Sequence, residues 1–271
     1  MKYRADLHCH STCSDGTCTP IELLELARKK NLAALSITDH DTLEAYSEDV
    51  FAAAARLNVR LFSGVELSAQ CKKMNVHVLG YGVEKTAELL AFCRRHQLRR
   101  IKRNRAILER LSRLSFIISE QELYANSEKK VIGRPHIAAL MVAKGYVETI
   151  REAFDRFLAE GKPCFDPGPI VTIEETITAI HQAKGKAFLA HPHFIQSKKL
   201  VKALLELNFD GFECYYALLS PIREKKWLDL AREKHKLISG GSDFHGTVKP
   251  HIPLGCSWVG EDEVQKIFGT S

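Results

Sequence analysis

Short apolar runs recur along the chain, separated by stretches whose apolar positions fall at helical spacing. Seven runs have the length and content of strands: 3–8, 33–38, 60–65, 76–81, 187–190, 211–215 and 236–239. They are short and largely apolar, as strands covered on both faces are. Helical patterns fill most of the gaps. Thr19-Pro20-Ile21-Glu22 reads as a helix start, with Thr19 as cap, Pro20 in the first turn and Glu22 three residues after the cap. Further helices are expected over 172–184 and 221–234, and 52–57 ends another. Alternating β and α units predict a parallel sheet, and seven strands around one core predict a closed or nearly closed barrel. From Glu84 to Phe165 the strand signal vanishes, and Asp166-Pro167-Gly168-Pro169 then marks a loop. The expectation is an α/β protein with a TIM-like (β/α)7 barrel formed by 1–84 and 166–271, interrupted by a helical insertion over 85–165.

A chain of 271 residues with 45% hydrophobic positions can bury such a core in one domain plus an insertion. The first ten residues lack the apolar centre of a signal peptide, and no apolar run approaches the ~20 residues of a membrane helix. A cytoplasmic protein without membrane association is expected. The eight cysteines form no Cys-x-x-Cys pair. Cys9, Cys13 and Cys18 match no standard zinc spacing, so reduced thiols are expected. The net charge of +6 is mild but uneven. Arg94, Arg95, Arg99, Arg100, Lys102, Arg103, Arg105, Arg110 and Arg113 are opposed only by Glu109. That stretch fits a phosphate-attracting surface and a solvated helix face equally well. Leu98, Ile101, Leu108 and Leu111 indicate that one side of this helix packs.

Barrel enzymes carry their chemistry at the C-terminal ends of the strands. Imidazoles or carboxylates mark all seven runs: His8 and His10, His40, Glu66, His77, His191, Glu213, and Asp243 with His245. His77 fits least well, lying near the start of its run. His8 and His10 are two apart and so share a strand face, which makes a metal clamp. A lone histidine at a strand end is more often a hydrogen-bonded core residue. So many buried ionisable groups together are costly unless they bind metal. By the same rule His96, His181 and His235, on helical stretches, are read as surface or packing residues, and Cys9 and Cys214 as packing residues. Asp39 and Asp41 flank His40 and could orient imidazoles or cap the next helix. His193 is open between a supporting residue, a loop histidine and a proton donor.

Asp6-Leu7-His8-Cys9-His10-Ser11, Thr38-Asp39-His40-Asp41-Thr42, Gly64-Val65-Glu66, Ala190-His191-Pro192 and Gly241-Ser242-Asp243-Phe244-His245 together resemble the PHP (polymerase and histidinol phosphatase) domain, in the same order and over nearly the whole chain. The resemblance implies a distorted barrel with three metals at its C-terminal face. Ser14-Asp15-Gly16, and Gly133-Arg134-Pro135-His136 in the helical stretch, make the chain similar to the branch of 3′,5′-nucleoside bisphosphate phosphatases and 5′-3′ exoribonucleases. Carried onto this chain, the resemblance gives His8, His10, Glu66 and Asp243 one metal. Glu66 bridges to a second with His77 and His191, and Asp15, His40 and His245 hold a third. Arg134 and His136 would contact a substrate phosphate. Lys249 and His251 are open between phosphate contacts and an ordinary polar loop.

Imidazole and carboxylate donors without thiolate suit Mn2+ first, with Fe2+ or Zn2+ also compatible. The activity the resemblance implies is phosphoric ester hydrolysis: removal of the 3′-phosphate of 3′,5′-bisphosphonucleotides by a metal-bound hydroxide at a trinuclear site. A 5′-3′ exoribonuclease on short RNA, a histidinol or sugar phosphatase, and a barrel that only binds are the alternatives. The partner is thus a small phosphorylated nucleotide or short RNA, and no obligate protein partner is evident.

Overall fold

The computed structural model describes residues 2–71, 74–125 and 131–269. The ends of the predicted barrel segments at 1 and 270–271, and 126–130 within the predicted insertion, lie outside the described residues. All seven predicted strands are present: β1 (Ala5–Cys9), β2 (Ala34–Ile37), β3 (Arg60–Cys71), β4 (Met74–Tyr81), β5 (Lys186–Leu189), β6 (Gly211–Tyr216) and β7 (Leu237–Gly241). They form one sheet in sequence order. Past the end of β7, His10 N–H donates to Phe244 O at 2.9 Å and Asp243 N–H to His8 O at 2.7 Å, so the sheet curls into a nearly closed barrel.

One expectation is corrected. The sheet is not wholly parallel: β4 runs antiparallel to both β3 and β5, while the other pairs are parallel. The cause is local. β3 continues to Cys71, past the 60–65 run, and pairs directly with Met74, so no crossover helix separates the two strands. This also explains His77. In a reversed strand the N-terminal half lies at the face where its neighbours end, so His77 is at the functional end after all.

The helices follow their sequence signals. α1 (Pro20–Lys29) starts at the predicted Thr19 capping box. α2 (Glu48–Leu57) is capped by Ser47, so neither Asp39 nor Asp41 is its cap. Among the described residues, four helices lie between β4 and the 166–169 loop: α3 (Ala87–Arg113), α4 (Glu120–Tyr124), α5 (Arg134–Ala143) and α6 (Ile150–Ala153), the last continued by a π-helical turn at Phe154–Leu158. α7 (Ile173–Gln182), α8 (Lys198–Leu204), α9 (Pro221–Glu233) and α10 (Glu261–Phe268) return to the barrel. Two apolar clusters separate along the same line. Leu23, Ile37, Val65, Val78, Ile180 and Phe212 belong to the larger one, and Ile107, Leu111, Ile137, Met141 and Leu158 to another. Leu98, predicted to pack, is exposed, because the buried face of α3 runs instead through Leu89, His96, Arg100, Ile107 and Leu111. No disulfide joins any of the cysteines, all eight of which lie among the described residues. No described helix is long and apolar enough to cross a membrane.

Candidate active site

The strand period brings His8 and His10 together. Both are fully buried, and their Nε2 atoms lie 3.2 Å apart. Their backbone is fixed by Asp6, whose Oδ1 accepts from Ser242 N–H at 2.9 Å and His8 N–H at 3.2 Å. Gly241 makes this approach possible: a Cβ there would lie 2.4 Å from His8 N. The turn that follows puts Asp243 in the left-handed region, φ 52°, and brings its carboxylate to 3.4 Å from His8 Nε2 and 3.3 Å from His10 Nε2.

Glu66 sits at the centre of the cluster. Its Oε2 is 3.1 Å from His10, 3.2 Å from His40 and 3.4 Å from His8, and its Oε1 is 2.7 Å from His77 and 3.0 Å from His191. His191 adopts φ 29°, and its N–H donates to Glu213 at 2.6 Å. Asp15 lies 3.4 Å from His245, 3.6 Å from His10 and 3.8 Å from His40. Its loop folds tightly enough that a Cβ on Gly16 would strike His10 O at 2.1 Å.

Three sets have donor atoms within 4.8 Å of one another: His10, Asp15, His40 and His245; His8, His10 and Asp243; and His40, Glu66 and His77. The electrostatics suit cations. Burial would raise the carboxyls, but surrounding imidazoles outweigh it: Glu66 is held well below its usual range by His77, His40 and His8, and Asp15 by His245 and His40. Asp243 is lowered likewise, by Lys249, His245 and His8. Burial would lower His10, yet hydrogen bonds to Asp243 and Glu66 and the charges of Glu66 and Asp15 push it up to about 9. His40 Nδ1 is buried 3.2 Å from Glu66 without the alignment of a hydrogen bond, a donor atom facing the cluster with no protein partner. The residues therefore fit divalent ions.

Beside the cluster lies a basic cleft. Arg99, Arg100, Arg103, Arg134 and Lys249 line it together with Asp15, His40, His77 and His245. The basic stretch on α3 divides: Arg99 and Arg100 are buried toward the cleft, whereas Arg94, Arg95, Lys102, Arg105 and Arg113 are exposed. Arg100 donates to Asp41 Oδ2 at 2.6 Å and to Ser68 Oγ at 2.9 Å. Arg99 donates to the Pro167 and Pro169 carbonyls of the loop after the helical stretch. Arg134 donates to Leu158 O at 3.3 Å and lies over the Phe165 ring. Burial lowers Arg134 to about 10, and Arg103 is lowered by burial and by Arg100 and Arg134. Cations crowded this closely favour an anion between them.

His136, predicted to reach the substrate, instead closes the start of α5: its Nδ1 accepts from Gly133 N–H at 3.1 Å, and it does not line the cleft. Lys249 donates to Asp243 at 2.5 Å and lines this cleft and a larger one of 610 Å3 on the other side of the cluster. His251 lines only the larger. Burial, with His191 and Arg223 nearby, pushes His193 down to about 3, which favours its neutral form. Asp39 orients no imidazole. It accepts from Ser11 N–H at 2.8 Å and from the Ser11 and Ser14 hydroxyls at 2.5 Å, holding the loop that carries Asp15.

Two supporting residues complete the site: Glu213, singled out in the sequence only as a strand-end carboxylate, and Tyr216, not singled out at all. Glu213 Oε1 lies 2.8 Å from His8 Nδ1 and turns Nε2 toward the cluster. Its signal was a carboxylate on a buried strand with no partner nearby in sequence. Tyr216 O–H donates to Asp243 at 2.6 Å, and nothing in the sequence set it apart from a packing tyrosine.

A family model described as PHP domain matches residues 6–249. The chain is 34% identical over 259 residues to the 5′-3′ exoribonuclease Rnm of Escherichia coli, covering 92% of this chain and 87% of the relative. It is 32% identical over 251 residues to the 3′,5′-nucleoside bisphosphate phosphatase of Chromobacterium violaceum, covering 89% and 86%. A solved structure from Bifidobacterium adolescentis, described as a metal-dependent phosphoesterase, superposes with a TM-score of 0.88 at 31% identity, covering 98% of this chain and 96% of that one. The order of strands, the donor cluster at their ends and these matches agree: the chain belongs to the PHP domain family and is a metal-dependent phosphoesterase.

Proposed function

We propose that the chain hydrolyses the ester at the 3′-phosphate of a nucleotide that also carries a 5′-phosphate. In this reading 1–84 and 166–271 build the barrel that holds metal, and 85–165 is an insertion that brings the phosphate clamp. His8, His10, Glu66 and Asp243 would hold one divalent ion, Glu66 with His77 and His191 would hold a second, and Asp15, His40 and His245 a third. Mn2+ suits these donors, with Fe2+ or Zn2+ compatible. Such ions would supply a water-derived nucleophile near neutral pH and neutralise charge on phosphate oxygens.

The protein's own groups do the rest. Glu213 and Tyr216 fix His8 and Asp243. Arg134, Arg103 and Arg100 bind the 5′-phosphate, and a guanidinium can do so bidentately. Lys249 stands between the two phosphate positions, where it can meet either. The observation that carries the reading is the arginine cleft sharing His40, His77 and His245 with the donor cluster. One phosphate reaches the cluster while a second reaches the arginines. A histidinol or sugar monophosphate leaves the arginine side unused.

The test compares adenosine 3′,5′-bisphosphate with adenosine 3′-monophosphate on manganese-loaded protein. Charge-assisted contacts of about 1.5–3 kcal/mol predict a preference of roughly ten- to a hundredfold for the bisphosphate. Arg134→Ala should erase most of that preference. Equal losses on both substrates would refute the clamp.

A further inference from the structure

His40 is flanked by two aspartates with different tasks. Asp39 holds the loop that carries Asp15. Asp41 turns the other way. It is fully buried and adopts φ 53°, a left-handed conformation that aspartate tolerates better than most residues. Its polar atoms join two parts of the molecule. Its N–H donates to Glu66 O at 3.0 Å, and its Oδ1 accepts from Ser68 N–H at 3.0 Å. Its carbonyl accepts from Gln97 Nε2 at 3.1 Å, and its Oδ2 accepts from Arg100 Nε at 2.6 Å. The first two bonds reach β3, the strand of Glu66. The other two reach α3, the helix of the arginines.

Arg100 is gripped along one edge. Its Nε faces Asp41 and its Nη2 faces Ser68 Oγ. Its Nη1 lies instead against Gly133, the residue before Arg134, where an added Cβ would stand 3.2 Å from it. A guanidinium is planar, so holding the Nε–Nη2 edge fixes the direction of Nη1. Charge works in the same sense. Arg100 repels both Arg99 and Arg103, and the Asp41 carboxylate opposes that repulsion at both. Replacing a buried ion pair by apolar side chains is often neutral for stability. What an apolar pair would not supply is a fixed direction for Nη1.

We propose that Asp41 is a positioning residue that ties the arginine cleft to the donor cluster and so sets the spacing between the two phosphate positions. This rests on the functional reading above and adds the residue that keeps its two halves in register. Asp41 does not line the cleft and acts through Arg100. A 3′-monophosphate engages the donor cluster alone. Spacing therefore matters only to a substrate that must reach both sides at once.

The experiment compares adenosine 3′,5′-bisphosphate with adenosine 3′-monophosphate on manganese-loaded protein. Asp41→Asn keeps the size of the side chain and an acceptor for Ser68 N–H, but removes the charge that holds Arg100. It should lower the kcat/KM ratio of bisphosphate over monophosphate by about tenfold, with the change in KM. Ser68→Ala removes the other hold on the guanidinium and should lower the same ratio by about threefold. In an Arg100→Ala background, Asp41→Asn should lower the ratio no further, because a residue that acts through another then has nothing to act on. The inference is overturned if Asp41→Asn lowers both substrates alike, as a merely structural residue would. It is also overturned if the wild-type ratio survives in Asp41→Asn, or if the two losses multiply in the double variant. Should Asp41→Asn fail to fold, Ser68→Ala decides, and an unchanged ratio there overturns the inference. Wild-type protein with no preference for the bisphosphate would sink the functional reading itself, and this inference with it.

Discussion

The donor cluster and the arginine cleft share a mouth but are built in opposite ways. The donors sit on or just after strands, where backbone pairing fixes each side chain: the ladder from β3 to β4 sets Glu66 and His77, and the bridges from β1 to the end of β7 set His8, His10 and Asp243. The arginines sit on α3 and α5, on long side chains that reach inward from the second apolar cluster. Strands fix geometry to fractions of an ångström, which metal coordination requires. Long side chains on helices supply charge and reach, which phosphate binding requires. Substitutions on the two sides should therefore fail differently.

The largest loss should come from the centre of the strand-borne set. Glu66→Gln should lower phosphoester hydrolysis by about a thousandfold or more and lower bound manganese, read by phosphate release and elemental analysis on the same sample. Activity near wild type with a full metal complement would end the assignment of Glu66 as the shared ligand. Glu213→Gln touches no ion but frees His8, and should weaken metal affinity by roughly ten- to a hundredfold, measured by titration from a competing chelator. Arg103→Ala tests the helix-borne side. It should raise KM for the bisphosphate about tenfold while metal content stays at the wild-type level. Metal lost together with KM would erase the distinction between the two constructions.

The smallest effect concerns His96, on the buried face of the arginine helix. Burial pushes it down to about 4, and Arg99 and Arg100 add to that push, outweighing the pull of Asp41 at 3.4 Å. The folded chain thus holds it neutral, whereas the unfolded chain binds that proton near 6.5. Its contribution is present above pH 6.5 and is lost as pH falls from there toward 4. Urea melts at pH 7 and pH 5 in chelator should differ by on the order of 1 kcal/mol more in wild type than in His96→Gln. An equal difference in both would show that His96 does not carry this acid sensitivity.

The same contrast explains what could be read in advance. Every strand was legible, because covered strands are short apolar runs bounded by polar turns. His8, His10, Glu66, His191 and Asp243 were legible because a charge at the end of such a run has no other reason to be there. The direction of β4 was not legible. Apolar content does not encode polarity of pairing, and the third strand continues past the predicted 60–65 run through Glu66, Ser68 and Gln70, which break the apolar pattern. The arginines of α3 stayed ambiguous because a helix shows its charges at the same spacing whether they face water or a cleft. Burial of Arg100 is decided by Asp41 and Ser68, from two other segments. His136 carries two readings for a related reason: beside Arg134 it looks like a phosphate contact, and three residues after the helix cap its Nδ1 also reaches back to Gly133.

The reversed β4 has a consequence for how the molecule assembles. Glu66 and His77 meet across 11 residues of chain, whereas His8 and Glu213 meet across 205. The first contact costs little loop entropy, and the second waits for the circle of strands to shut. One part of the cradle can thus form early and locally on an antiparallel ladder, while the part carried by β1 and β7 forms only when the two ends of the sheet meet. The site doubles as a latch: its completed form exists only in a chain that has finished folding.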